Sequence, residues 1–133
     1  MPDASAVTSY ELLTDGELWV ISPSVPTTET AACWLVVTKN GKYAYTTNAG
    51  SNTTSGYAIG KDGSLELLQE DGASGMTGGA PIDMAFTQNS QFLYVLNASG
   101  NSISGFALNN GSGQLTPVSD VDLPPGANGL IAR

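Results

Sequence analysis

Residues 38–59 read TKNGKYAYTTNAGSNTTSGYAI, and forty-nine residues later residues 87–108 read TQNSQFLYVLNASGNSISGFAL. Thr38, Asn40, Tyr45, Asn48, Ala49, Asn52, Ser55, Gly56 and Ala58 recur unchanged as Thr87, Asn89, Tyr94, Asn97, Ala98, Asn101, Ser104, Gly105 and Ala107. Tyr43 and Tyr57 return as Phe92 and Phe106. One supersecondary unit is therefore written at least twice. A fixed period in the range of about 20–50 residues marks a solenoid, propeller or array, in which each unit buries its apolar face on its neighbours.

Working outward, residues 33–37 form a short apolar run suited to a strand buried on both faces, with Cys33 inside it as a buried, inert thiol. Residues 42–47 and 54–59 alternate apolar with polar or small side chains, as half-buried strands do, and 65–68 follow the turn residues Asp62-Gly63. The second unit repeats this at 82–86, 92–96, 103–108 and 115–118. Upstream, 7–12, the turn Asp15-Gly16 and 18–21 align with the second half of a unit. Downstream, Leu130-Ile131-Ala132 lies under Asp83-Met84-Ala85, the first strand of a unit. The segments SPSVPTTET (22–30) and EDGASGMTGGA (70–80) have no period and are expected to be connections.

The sum is a half blade over 5–25, whole blades over 31–69 and 80–121, and a first strand over 126–133: about eleven strands and no helix. Four short antiparallel strands per repeat describe the blades of a β-propeller. The expected class is all-β, a partial propeller of roughly two and a half to three four-stranded blades within one domain. Closure takes at least about four blades, so the ring is expected to be completed by self-association, a homodimer being favoured.

Composition narrows function by exclusion. Twelve acidic against four basic side chains give a net charge of −8, which repels nucleic acid and anionic membrane faces. No apolar run reaches the roughly 18 residues of a membrane helix, and MPDASAV lacks the basic and apolar regions of a signal peptide, so a soluble chain is expected, with its compartment open. The chain has no histidine and one cysteine, which removes the commonest general base and any intrachain disulfide. Asp15, Asp62 and Asp71 are isolated turn acids without cation-loop spacing, and neither a metal nor a cofactor is expected.

The phrases 81–94, PIDMAFTQNSQFLY, and 33–45, CWLVVTKNGKYAY, together with NAGSNT, SG(F/Y), the DGxL turns at 15–18 and 62–65 and the ending PPGANGLIAR, resemble the lactonase family of seven-bladed propellers. That family includes 6-phosphogluconolactonase and carboxymuconate cyclase-type proteins. The resemblance covers residues 5–133 and implies the C-terminal portion of a propeller, in which the last strand completes a blade begun by the N-terminus. Catalytic members resemble P-R-H-x-A on the inner strand and N-R-G or N-E after the second. Here the histidine position is Trp34, Asp83 and Leu130, and the arginine position is Ala49 and Ala98.

Lactone hydrolysis needs a base for water and a donor for the oxyanion. Asp83 is the candidate catalytic residue, against a channel-lining carboxylate bonded to backbone amides. Trp34, Asn48 and Asn97 are candidate binding residues for a small carbohydrate or lactone, against blade packing by Trp34 and turn hydrogen bonding by the asparagines. The first functional reading is a non-catalytic scaffold or interaction module that oligomerises to close its ring. The alternative is a sugar-lactone hydrolase, acting in the oligomer or in the intact parent propeller.

Overall fold

Asp-Gly turns set the hairpins. In the computed structural model, which describes residues 5–133, Asp15 Oδ1 accepts the Glu17 N–H at 3.0 Å and Asp62 Oδ1 accepts the Ser64 N–H at 3.1 Å. Gly16 and Gly63 take the left-handed conformation, with φ of 90° and 82°. Strands β1 (Ala6–Leu12) and β2 (Leu18–Pro26) make a two-stranded sheet around the first turn. Strands β3 (Ala32–Val37), β4 (Tyr43–Asn48), β5 (Thr53–Ile59) and β6 (Leu65–Leu67) form the second sheet in that order, with β7 (Gly75–Met76) added along β5. Strands β8 (Pro81–Phe86), β9 (Phe92–Asn97), β10 (Ser102–Leu108) and β11 (Leu115–Asp122) form the third. All three sheets are antiparallel, and no helix occurs among the described residues.

The alternation along β4 explains how the sheets stack as blades. Tyr43 and Tyr45 point to one face and join Met84, Leu93, Val95, Phe106, Leu108 and Leu115 of the third sheet in a single core. Ala44, on the other face, joins Val7 and Tyr57 against the first sheet. A hydroxyl crosses each junction: the Tyr57 O–H donates to the Val25 carbonyl at 3.1 Å, and the Tyr45 O–H donates to the Gly113 carbonyl. Gly56, directly opposite Tyr45 on β5, leaves the slot for that ring, since a Cβ there would stand 2.8 Å from Tyr45 Cε1.

Four sequence expectations are corrected. Residues 126–133 form no strand: the Leu130 N–H is taken by the Asp83 side chain at 2.9 Å rather than by a backbone carbonyl of a neighbouring strand. The glycine-rich segment 70–80 contains β7, whose Gly75 and Met76 pair with Thr54 and Thr53. Strand β2 runs on through 22–26, with Pro26 opposite Ala6 at the end of the sheet, a place where a missing N–H breaks no ladder. Strand β3 is not covered on both faces: Cys33 is exposed, and Trp34, Leu35 and Val37 are 48%, 42% and 50% exposed. Strand β3 packs against β8, while Leu35 and Val37 border an open groove shared with Val7–Tyr10 of β1.

Burial pushes the Tyr57 phenol up to about 12, from 10.0, and raises Tyr45 in the same direction. The folded chain therefore holds these protons after the unfolded chain has released them. Their stability is fully present below pH 10 and is lost as pH rises from 10 through about 12. The thermal midpoint is expected to fall steeply across that window, and the fall should shrink in Tyr57→Phe. An identical pH dependence in the variant would refute the assignment to Tyr57.

Candidate functional site

The first strands of the two complete blades, β3 and β8, are neighbours and carry the residues singled out for chemistry. Both are interrupted at the same place in the repeat. The β3–β4 register shifts between Ala32 and Leu35, and the β8–β9 register shifts between Pro81 and Asp83. A bulge leaves residues out of the ladder, and here these are Cys33 and Trp34 on β3 and Ile82, next to Asp83, on β8. At the β3 bulge the Trp34 N–H leaves the ladder and donates to Thr47 Oγ1 at 2.9 Å.

Asp83 is partly buried, and its Oδ2 accepts the Leu130 N–H at 2.9 Å. The carboxylate thus tethers the C-terminal segment to the inner edge of the third sheet, bringing together two of the three positions that align in the repeat. Trp34, the third, stands half exposed on β3.

Asn48 and Asn97 are fully buried at the ends of β4 and β9. The Asn48 Nδ2 donates to Thr53 Oγ1 at 3.0 Å and Ser55 Oγ at 2.8 Å. The Asn97 Nδ2 donates to Ser102 Oγ at 3.1 Å and Ser104 Oγ at 2.9 Å. In both blades the Oδ1 has no partner among the described residues. The amides clamp one strand to the next beneath the turns at 49–52 and 98–101. The signal for this ladder is in the sequence: a hydroxyl residue stands five and seven places after each asparagine, and i, i+2 spacing puts both on one strand face.

Asn52 and Asn101, which follow, are left-handed with φ of 60° and 45°. Asn52 Oδ1 accepts the Ala80 N–H of the next blade's entry at 2.7 Å. This bridge has no local signal in the sequence; only the recurrence of the asparagine is legible there.

Chemically, the inner edge offers one carboxylate, one indole and backbone groups. Among the described residues no three His, Cys, Asp or Glu side chains come together to hold a metal, and no helix is long and apolar enough to cross a membrane.

The family described as lactonase, 7-bladed beta-propeller, matches residues 5–127. Among solved structures, a candidate 6-phosphogluconolactonase from Bacteroides fragilis superposes with a TM-score of 0.79 at 22% identity, over 92% of this chain and 34% of that one. A protein from Lactobacillus plantarum gives 0.77 at 23% identity, over 92% and 37%. The periplasmic gluconolactonase of Pseudomonas aeruginosa gives 0.73 at 20% identity, over 90% and 34%. Likeness at this identity speaks for the fold alone, and the chain spans about a third of the length of these structures. No curated protein matches it. With nearly its whole length matched by one family and its blades superposing on solved propellers, the chain belongs to the lactonase family of seven-bladed β-propellers, of which it supplies a segment.

Proposed function

We propose that this propeller segment is a non-catalytic interaction module whose two open blade faces are covered by the complementary faces of a second copy. One comparison within the repeat carries the reading. Tyr57 and Phe106 occupy the same repeat position, face the preceding blade, and are 0% and 1% exposed. Tyr10 occupies that position in the first sheet and is 51% exposed. On the opposite face Tyr45 is fully buried against the third sheet, while its counterpart Tyr94, which has no sheet beyond it, is partly exposed.

The packing of a Tyr45-type face on a Phe106-type face already exists inside the chain. A Tyr94 face therefore fits the Tyr10 face of another copy. Leu12, Leu18 and Val20, between 55% and 73% exposed and on the Tyr10 face by strand pairing and alternation, enlarge the apolar area to be covered. Such a contact joins unlike faces, and two copies making it twice close a ring.

Light scattering at micromolar concentration is expected to give twice the 13.6 kDa chain mass. Tyr94→Arg and Tyr10→Arg, each burying an unpaired charge at the contact, are expected to return the chain mass. A monomer at micromolar concentration in the unsubstituted chain would sink the proposal.

The second reading, sugar-lactone hydrolysis in a completed propeller, is favoured by the family match and by Asp83 at the inner-strand bulge. It would require Asp83 to activate water while Oδ2 also holds Leu130. Turnover of gluconolactone above its spontaneous rate, lost in Asp83→Asn, would replace the first reading with this one. A flat assay on the intact oligomer would leave the first standing.

A further inference from the structure

At the end of the blades remote from Asn48 and Asn97, the turns after β3 and β8 come together around a cavity of about 270 Å³ lined by Lys39, Asn40, Asn89, Ser90 and Asn110. Two of the amides are locked in the same way. Asn40 Oδ1 accepts the Thr38 hydroxyl at 2.7 Å and the Lys42 N–H at 3.0 Å. Asn89 Oδ1 accepts the Thr87 hydroxyl at 2.9 Å and the Gln91 N–H at 3.1 Å. With each Oδ1 committed twice, the group left over is Nδ2, which has no partner among the described residues and can only donate.

Ser90 adds a second observation. It is 4% exposed and left-handed at φ 54°, in the place where the preceding repeat has Gly41 at φ 69°. A serine kept where glycine fits without strain places a hydroxyl at the junction, where its Oγ accepts the Lys39 N–H at 2.9 Å. Lys39 is one of only four cationic side chains in a chain of net charge −8.

We infer that this cavity binds a small oxyanion, a phosphate or a carboxylate. Two amide donors of fixed orientation and the neighbouring Lys39, with Asn110 free to turn its amide nitrogen inward, give the charge-assisted donors that such a group takes. The volume lies below the roughly 300–1,000 Å³ of drug-sized pockets, so the ligand is small. The surrounding negative charge opposes approach from a distance, and the contact is short-ranged. The site lies outside the blade faces of the proposed dimer and does not depend on it.

The test is amide NMR of the labelled chain, titrated at constant ionic strength with inorganic phosphate and separately with acetate, with chloride as the control. Saturable shifts are expected at Lys39, Asn89 and Ser90. They should be at least tenfold weaker to saturate in Asn89→Asp, which keeps the doubly engaged Oδ1 and turns the donor into an anionic acceptor. Lys39→Gln should weaken binding similarly, with the thermal midpoint of both variants near that of the parent. The tighter of the two probes identifies the oxyanion class. Shifts that stay linear to about 50 mM, or an affinity unchanged in both variants, would overturn the inference.

Discussion

Gly72→Ala is expected to destabilise the chain by about 3–4 kcal/mol, a large share of the 5–15 kcal/mol that holds a domain of this size. Two independent costs add. Gly72 sits at φ 84°, where any L side chain costs about 1–2 kcal/mol. A Cβ there would also fall inside the Thr27 carbonyl oxygen and against Thr28 Oγ1, which is backbone overpacking of the kind that costs about 1–3 kcal/mol.

The neighbour cannot yield. Thr27 is fully buried, its N–H donates to Ser5 O at 2.9 Å, and its carbonyl accepts the Thr28 hydroxyl at 2.7 Å. Gly16→Ala is the internal comparison, because Gly16 has a similar φ of 90° and nothing within 4 Å of the added carbon. It should lose only the backbone share, about 1–2 kcal/mol. Thermal unfolding followed by circular dichroism separates the two, with a drop of about 10–15 °C expected for Gly72→Ala. Equal midpoints would mean that the close approach of 72 to 27 carries no energy. Because this contact ties the β1–β2 hairpin to the second sheet, Gly72→Ala should also weaken any assembly that uses Tyr10.

Much of this was legible because a repeat states its own period and its turns state their own chemistry. The Asp-Gly turns and the alternation of β4 follow from residue spacing alone; of the four aromatics that recur at blade-to-blade positions, Tyr45, Tyr57 and Phe106 are buried and Tyr94 is only partly so. The failures share a cause. Cys33 and Trp34 sit in an apolar run that reads as interior, yet burial depends on whether a blade lies opposite, and no pattern within a strand records its neighbour. Residues 130–132 repeat a strand sequence, but a strand is a property of a pair, and no described strand pairs with them.

At the candidate site the recurrence of Asn48 and Asn97 was visible, while their hydroxyl ladder needed the strand faces to be assigned first. The Asp83 to Leu130 bond, spanning forty-seven residues, joins the edge of one blade to a segment outside any sheet, and nothing local in the sequence announces it.

Tyr45→Ala tests the fold and the functional reading together. Tyr45 is fully buried between the second and third sheets, lies edge-on to Phe86 at 5.7 Å and 69° between ring planes, and donates its O–H to Gly113 O. Truncating a buried aromatic costs about 3–5 kcal/mol, and leaving the Gly113 carbonyl unbonded adds about 1 kcal/mol. Tyr45→Phe isolates the hydroxyl and should cost only about that last amount. The informative partner is Tyr94→Ala, at the same place in the next repeat and opposite Gly105 as Tyr45 is opposite Gly56. With no sheet beyond it, Tyr94 should cost the monomer about 1 kcal/mol, while the same change removes a ring from the proposed contact and weakens the dimer at least tenfold. Denaturant unfolding of the isolated chain and its oligomeric mass, measured on both variants, read the two effects separately. If Tyr94→Ala destabilises the monomer as much as Tyr45→Ala does, the third sheet already covers its own outer face, and no second copy is needed to complete it.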